Sequence, residues 1–232
     1  MNRNIVKILI LGAFVVGSIW HVQAQAQDAK SPYPSMAPVE QYMMADRNAE
    51  IALARSAAPE SVSRDAEVLA LGRHGYETAV KGTNGFVCLV ERAWNAPFDN
   101  PEFWNPKNRS ANCYNPPAAK SILPLIVKRA ELVLAGEPKD QVLKDIIAFG
   151  KKEVPPLEPG AMCIMMSKGS YLTDSGSHNM SHLMFYMPAG TAWGADVPIS
   201  QVITGEKLVE GTPQPVTLYL IPLRKWSDGT PQ

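Results

Sequence analysis

Residues 177–188 read SHNMSHLMFYMP and place His178 and His182 beside three methionines. In a helix, two histidines four positions apart lie on one face and can bind one metal ion together. In a strand the same step spans about 13 Å, which is too far for a shared ion. The alternation from His182 onward is typical of a strand, so a shared site requires the preceding turn to bring His178 back toward it.

A third histidine, His74, lies in the segment GRHGY. Imidazole together with methionine sulfur suits copper, above all Cu(I). The alternative is that the methionines fill a buried core and that each histidine has a structural role, which is the interpretation we favour. We therefore predict no cofactor, and keep a copper or other transition-metal site at His74, His178 and His182 as an alternative.

The loop 169–182 also contains the residue types of a serine hydrolase, with Ser170, Ser175 and Ser177 near Asp174 and His178. A catalytic triad is assembled from distant segments, whereas alternating Ser, Asp and Gly within one loop is ordinary turn composition. A hydrolase using this loop is thus a second alternative. The sequence favours a protein without catalytic activity.

A long segment between Asn95 and Pro117 is rich in Asn, Pro and aromatic residues. Loops of this length in compact domains are often functional or cross-linked. Because small-molecule sites are concave and lined by aromatic and a few polar groups, we expect a ligand beneath this segment. The predicted lining residues are Trp104, His182, Tyr186 and Trp193.

The N-terminus has the organisation of a secretory signal peptide. Arg3 and Lys7 precede an apolar run from Ile8 to Trp20, which is followed by the small-residue pattern VQAQA. This run is shorter than the roughly 20 residues that a membrane-spanning helix needs. We predict a signal peptide at 1–26, a disordered lead-in at 27–37 and a single domain at 38–232. The mature protein would be periplasmic or extracellular, with no integral membrane segment.

Charge and cysteine content narrow the partners and the compartment. The chain has 22 basic and 22 acidic residues, and removing Arg3 and Lys7 leaves 20 basic residues. Without a basic cluster, nucleic acid is excluded as a partner. An oxidising compartment allows disulfides, and we expect Cys88 to pair with Cys113, with Cys88–Cys163 as the competing pairing.

The elements that position these residues are a set of helices and strands that do not alternate one for one. Helical spacing appears at 39–58, 121–136 and 138–153, and the second of these segments is apolar nearly all round. Short strand-like runs begin near residue 66 and recur to residue 226. The sequence predicts an α+β fold: an antiparallel or mixed sheet of five to six strands, with about three helices packed on one side.

Two local predictions concern the strand at 86–94. Asn84-Gly85 precedes it and predicts a hairpin with the run YETAVKG, because both residues tolerate the positive φ of a tight turn. Glu91 and Arg92 follow the apolar residues FVCLV, and charged residues there are most often the solvated end of a strand.

The segments NGFVCLVERAW, AMCIMMSKGSYLTD, HLMFYMP and TAWGADVP resemble a set of secreted bacterial proteins that have no assigned function. The resemblance covers most of residues 66–226. It implies a bacterial periplasmic or extracellular address and says nothing about chemistry or site residues. We therefore expect an exported, non-catalytic domain that binds a small molecule or a partner protein.

Overall fold

The computed structural model describes residues 32–174, 180–188, 201–204 and 216–232, with the backbone alone at 201–204. Within these ranges there are five α-helices: α1 Arg47–Arg55, α2 Glu60–Ser63, α3 Pro116–Ser121, α4 Leu123–Leu134 and α5 Lys139–Glu153. The strands are β1 Glu67–Gly72, β2 Gly75–Val80, β3 Val87–Glu91, β4 Ser110–Tyr114, β5 Met162–Met165, β6 His182–Pro188, β7 Gln201–Thr204 and β8 Val216–Pro222. None of the helices in these ranges has both the length and the apolar character needed to cross a membrane.

All the described strands form one mixed sheet in the order β2-β1-β3-β4-β5-β6-β8-β7. The pair β1–β3 is parallel and the other neighbours are antiparallel. The predicted α+β class with a mixed sheet is confirmed. The strand count is higher than predicted, and β4 is the strand that the sequence analysis placed inside a loop.

The hairpin predicted at Asn84-Gly85 is wrong. β2 forms its hairpin with β1 instead, through Arg73 and His74. β3 lies on the other side of β1 and parallel to it. The Asn84 side chain donates to the carbonyl of Val62 at 2.8 Å and accepts from the backbone of Phe86, so the turn leads the chain past the end of β1.

Helices cover both faces of the sheet, whereas the sequence predicted one. Cys88 and Val90 pack with α1 on the first face, and Leu89 between them packs with α3 and α4 on the second. A strand with apolar side chains in both directions needs cover on both sides. We call these the α1 face and the α4 face.

The aromatic segment forms a third core cluster. Trp94, Phe98 and Phe103 are buried against Tyr42 and the apolar side of α4. Met36 and Ala37, which fall within the predicted lead-in, pack against this cluster, while the predicted signal peptide lies outside the described residues.

The disulfide Cys88–Cys113 is confirmed. The two cysteines are directly opposite each other in β3 and β4, on the α1 face. Cys163 is a free, buried cysteine on the α4 face, one strand further along the sheet. The competing pairing with Cys163 is therefore wrong, because that thiol is on the opposite side of the sheet. A disulfide is compatible with an exported protein.

A buried ion pair joins α1 to the sheet. Arg92 Nη2 lies 2.8 Å from Glu50 Oε1, and both side chains are almost fully buried. Glu50 Oε1 also accepts from the backbone of Leu71 at 3.1 Å, and Arg92 Nε donates to the carbonyl of Tyr42 at 2.8 Å. The prediction that Arg92 lies at a solvated strand end is wrong, because its guanidinium is buried and forms an ion pair with Glu50.

Candidate functional site

The α4 face carries an unusual set of polar side chains for a sheet interior. Glu91 ends the row Val87, Leu89, Glu91 on β3, and its partner in register on β4 is Ser110. Alternate β4 residues, Asn112 and Tyr114, point to the same face, and both are buried. The interpretation of Glu91 as a solvated strand end is also wrong.

These groups bond to one another. Glu91 Oε1 accepts hydrogen bonds from the Tyr114 hydroxyl and from Asn112 Nδ2. The Tyr114 ring stacks with Tyr186 at 6.5 Å between centroids, and the Tyr186 hydroxyl donates to Cys163 Sγ at 3.6 Å. The polar groups thus extend from β3 across to β6.

Burial sets the protonation states along this row. It raises the pKa of the Cys163 thiol to about 12, and raises the pKa of Tyr114 and of Tyr186 well above the usual value. The thiolate is the reactive form of cysteine. Cys163 is therefore a protonated, unreactive thiol at neutral pH.

Two further residues border Glu91 where the chain leaves β3. Asn95, in the one-turn helix Ala93–Asn95, faces Glu91 closely enough to lower the pKa of its carboxyl. Arg129 of α4 donates through Nη2 to the carbonyl of Ala96 at 2.7 Å, and its Cζ lies 3.9 Å from the centre of the Phe98 ring. We call Glu91, Asn95, Asn112, Tyr114 and Arg129 the Glu91 cluster.

Part of this cluster lacks hydrogen bonds. The side-chain nitrogen and oxygen of Asn95 and the Nε of Arg129 are buried, and none of them has a hydrogen-bond partner among the described residues. Although Asn95 lies beside Glu91, its amide does not meet hydrogen-bond geometry with the carboxylate. Buried polar groups in proteins are nearly always paired, so we expect a water or a bound molecule at these atoms.

Burial raises the pKa of Glu91 above its ordinary value of 4.5, against the smaller lowering effect of hydrogen bonds from Tyr114 and Asn112. The folded state therefore holds the proton more tightly than the unfolded state. The stability contributed by Glu91 is fully present below pH 4.5 and declines as the pH rises through the folded pKa. Glu91→Gln is expected to become more stable relative to the parent as the pH rises above 4.5, measured by urea unfolding.

Asp174→Asn is the control, because the pH dependence of its effect on stability should have the opposite sign. Hydrogen bonds from Tyr171, Tyr33 and Lys107 lower the pKa of Asp174 to about 2. Its contribution is present above its ordinary value of 3.8 and is lost as the pH falls toward 2. Asp174→Asn should thus weaken the protein at neutral pH, and the difference from the parent should shrink through about pH 2 and vanish below it. Parallel pH profiles for the two variants would contradict both assignments.

Of the predicted lining residues, Trp104 and Tyr186 lie in different core clusters. Trp104 packs with the third core cluster, where its carbonyl accepts from Tyr42 at 2.8 Å. Tyr186 packs in the core cluster on the α4 face, with Leu89 and Tyr114. His182 is buried on the same face, with its Nδ1 2.7 Å from the carbonyl of Met180. Trp193 lies outside the described residues.

His74 and His182 of the alternative metal site lie too far apart to bind one ion. His74 is exposed at the turn between β1 and β2, while His182 begins β6. Five strand spacings separate β2 from β6, which is about 24 Å at the usual strand spacing. His178 lies outside the described residues, and no cluster of three or more His, Cys, Asp or Glu side chains suited to a metal occurs among those described.

In the described part of the loop 169–182, side chains of the proposed hydrolase cluster form hydrogen bonds and an ion pair with other segments of the fold. The Ser170 hydroxyl accepts from the backbone of Ala111 at 3.0 Å. Asp174 accepts from the hydroxyls of Tyr33 and Tyr171 and pairs with Lys107 at 3.2 Å. Ser175, Ser177 and His178 of the predicted cluster lie outside the described residues.

Sequence reasoning missed Asn95, Asn112, Tyr114 and Arg129. One signal was available for Arg129, which is a long cation within the most apolar of the predicted helices. Comparison with protein-family models, curated proteins and solved structures finds no match to this chain. Any functional conclusion therefore depends on the geometry of the site.

Proposed function

We propose that this chain is an exported, non-catalytic domain, periplasmic or extracellular, that binds a small molecule at the Glu91 cluster. The observation that carries the proposal is the unpaired state of the Asn95 amide and the Arg129 Nε beside a buried carboxyl. A bound molecule would supply the missing hydrogen bonds. The Phe98 ring beside Arg129 adds the aromatic wall that is common in such sites.

The type of groups present favours binding over catalysis. Tyr114 and Tyr186 are buried phenols held protonated, and Cys163 is a buried thiol. General acid–base catalysis works best with a pKa near the working pH, and nucleophilic catalysis by cysteine needs the thiolate. Export is supported by the leader-like N-terminus and by the Cys88–Cys113 disulfide.

The chain offers a matched pair of asparagines for the test. Asn95 has unpaired side-chain atoms, whereas Asn105 is buried with both amide heteroatoms hydrogen-bonded: its Nδ2 donates to Glu102 at 3.0 Å, and its Oδ1 accepts from the backbone of Lys107 at 2.9 Å. Without ligand, Asn95→Leu should leave the free energy of unfolding unchanged or higher. Asn105→Leu should lower it by about 1–3 kcal/mol, because it breaks satisfied hydrogen bonds.

The binding measurement uses both variants in a thermal-shift screen of small polar and aromatic compounds, with calorimetry on each hit. Compounds that bind the parent should bind the Asn105→Leu variant and fail to bind the Asn95→Leu variant. Equal destabilisation by Asn95→Leu and Asn105→Leu, or ligand binding that is unchanged in the Asn95→Leu variant, would overturn the proposal.

A further inference from the structure

The charge of Arg129 indicates the chemical class of the ligand, an inference that rests on the proposed function. Arg129 is 8% exposed. Among the described residues, no carboxylate oxygen lies within ion-pair distance of its guanidinium. Burial lowers the pKa of Arg129 to about 9, and the nearby Glu91 offsets this only in part.

Glu91 is engaged elsewhere. Its Oε1 accepts from Tyr114 and Asn112, and it acts on Arg129 at a distance. Lys139 Nζ lies 4.3 Å from the centre of the Phe103 ring and Arg129 Cζ lies 5.3 Å from the same ring, and the nearby Asp99 acts on Lys139 rather than on Arg129. The Arg129 guanidinium is thus buried without an ion pair at contact distance among the described residues, and a buried charge is costly unless it is paired.

We infer that the molecule bound at the Glu91 cluster is a small organic carboxylate. Its oxygens would accept from Arg129 Nε and from Asn95 Nδ2, the unpaired donors at this position. Asn95 Oδ1 remains as an acceptor for a hydroxyl or amino group on the same molecule. The Phe98 ring, on which the guanidinium lies, would contact the ligand's carbon skeleton.

The test compares acids with their uncharged amides. Benzoate and lactate, measured against benzamide and lactamide by calorimetry at neutral pH, separate charge from shape. Acids are expected to bind at least about tenfold more tightly than the matching amides, because hydrogen bonds to a charged carboxylate are stronger than those to a neutral amide. Arg129→Met should abolish acid binding, and Arg129→Lys, which keeps the charge without the Nε–H, should weaken it about tenfold.

Arg109→Met is the matched control. Arg109 is a second partly buried arginine, and its guanidinium donates to the carbonyls of Pro106, Asn108 and Gln41, away from the cluster. This variant should bind acids like the parent. Amides that bind as tightly as acids, with binding still lost in Asn95→Leu, would overturn the carboxylate inference and leave the proposed function standing. If no acid, amide or other screened compound binds the parent, both fall.

Discussion

Replacing Glu50 by glutamine is expected to lower the free energy of unfolding by about 3–5 kcal/mol, because it leaves the Arg92 guanidinium buried without its counter-ion. The pair lies at 2.8 Å with both side chains almost fully buried. Arg92→Met should have a similar effect, since it leaves Glu50 as an uncompensated charge. Urea unfolding followed by tryptophan fluorescence measures both.

A double-mutant cycle isolates the interaction. Glu50→Gln combined with Arg92→Met should lose much less stability than the sum of the single variants, because neither charge is then left alone. The exposed pair Arg47–Glu77, separated by 3.8 Å, is the matched control. Breaking it should change stability by roughly 0–1 kcal/mol. Additive effects at Glu50 and Arg92, or a loss no larger than in the control, would show that the buried pair does not hold α1 to the sheet.

Removing the disulfide with Cys88→Ala and Cys113→Ala together is expected to lower the free energy of unfolding by about 3.5 kcal/mol. This value is the loop-closure entropy for the separation of 25 residues between the two cysteines. Reductant should destabilise the parent in the same way and leave the double variant unchanged.

Cys163→Ala provides the control for loss of a buried sulfur without opening a loop. Its expected effect is about 1–3 kcal/mol, because it removes a small buried group and leaves the Tyr186 hydroxyl without the sulfur that accepts its hydrogen bond. The free thiol cannot replace either partner of the disulfide, because it lies on the α4 face. A double variant as stable as the parent, or a larger loss in Cys163→Ala, would contradict the role given to the disulfide.

The sequence was informative where side chains follow a simple pattern. Apolar alternation indicated β1, β3, β5, β6 and β8. It failed at β4, whose residues SANCY resemble a loop. The reason is physical: Ser110, Asn112 and Tyr114 face the buried Glu91 rather than an apolar core.

The predicted strand pairing at Asn84-Gly85 failed for a different reason. Asn84-Gly85 has the chemistry of a hairpin turn, and Gly85 does have a positive φ of 77°. A turn motif states how the backbone reverses and not which strand it pairs with next. Here β2 pairs with β1 and is the edge strand of the sheet, and β3 pairs with β1 rather than with the free edge of β2.

The candidate site could not have been predicted from the sequence, because residue patterns do not show which distant segments pack together. Asn95 lies in an Asn- and Pro-rich segment, and Arg129 lies on a helix more than thirty residues later. Asn95 follows Glu91 directly after β3, and the packing of α4 on the sheet brings Arg129 beside them. The predicted aromatic site includes Trp104 and Tyr186, which pack into separate clusters, and Trp193, which lies outside the described residues.

The most direct test of the ligand site is a crystal structure of the protein purified from its native source without unfolding, at about 1.5 Å resolution. We expect density for a small molecule within hydrogen-bond distance of the Asn95 amide and Arg129 Nε, with a carboxylate toward the arginine. Ordered waters alone at these atoms, undisplaced by soaking with benzoate or lactate, would contradict this expectation.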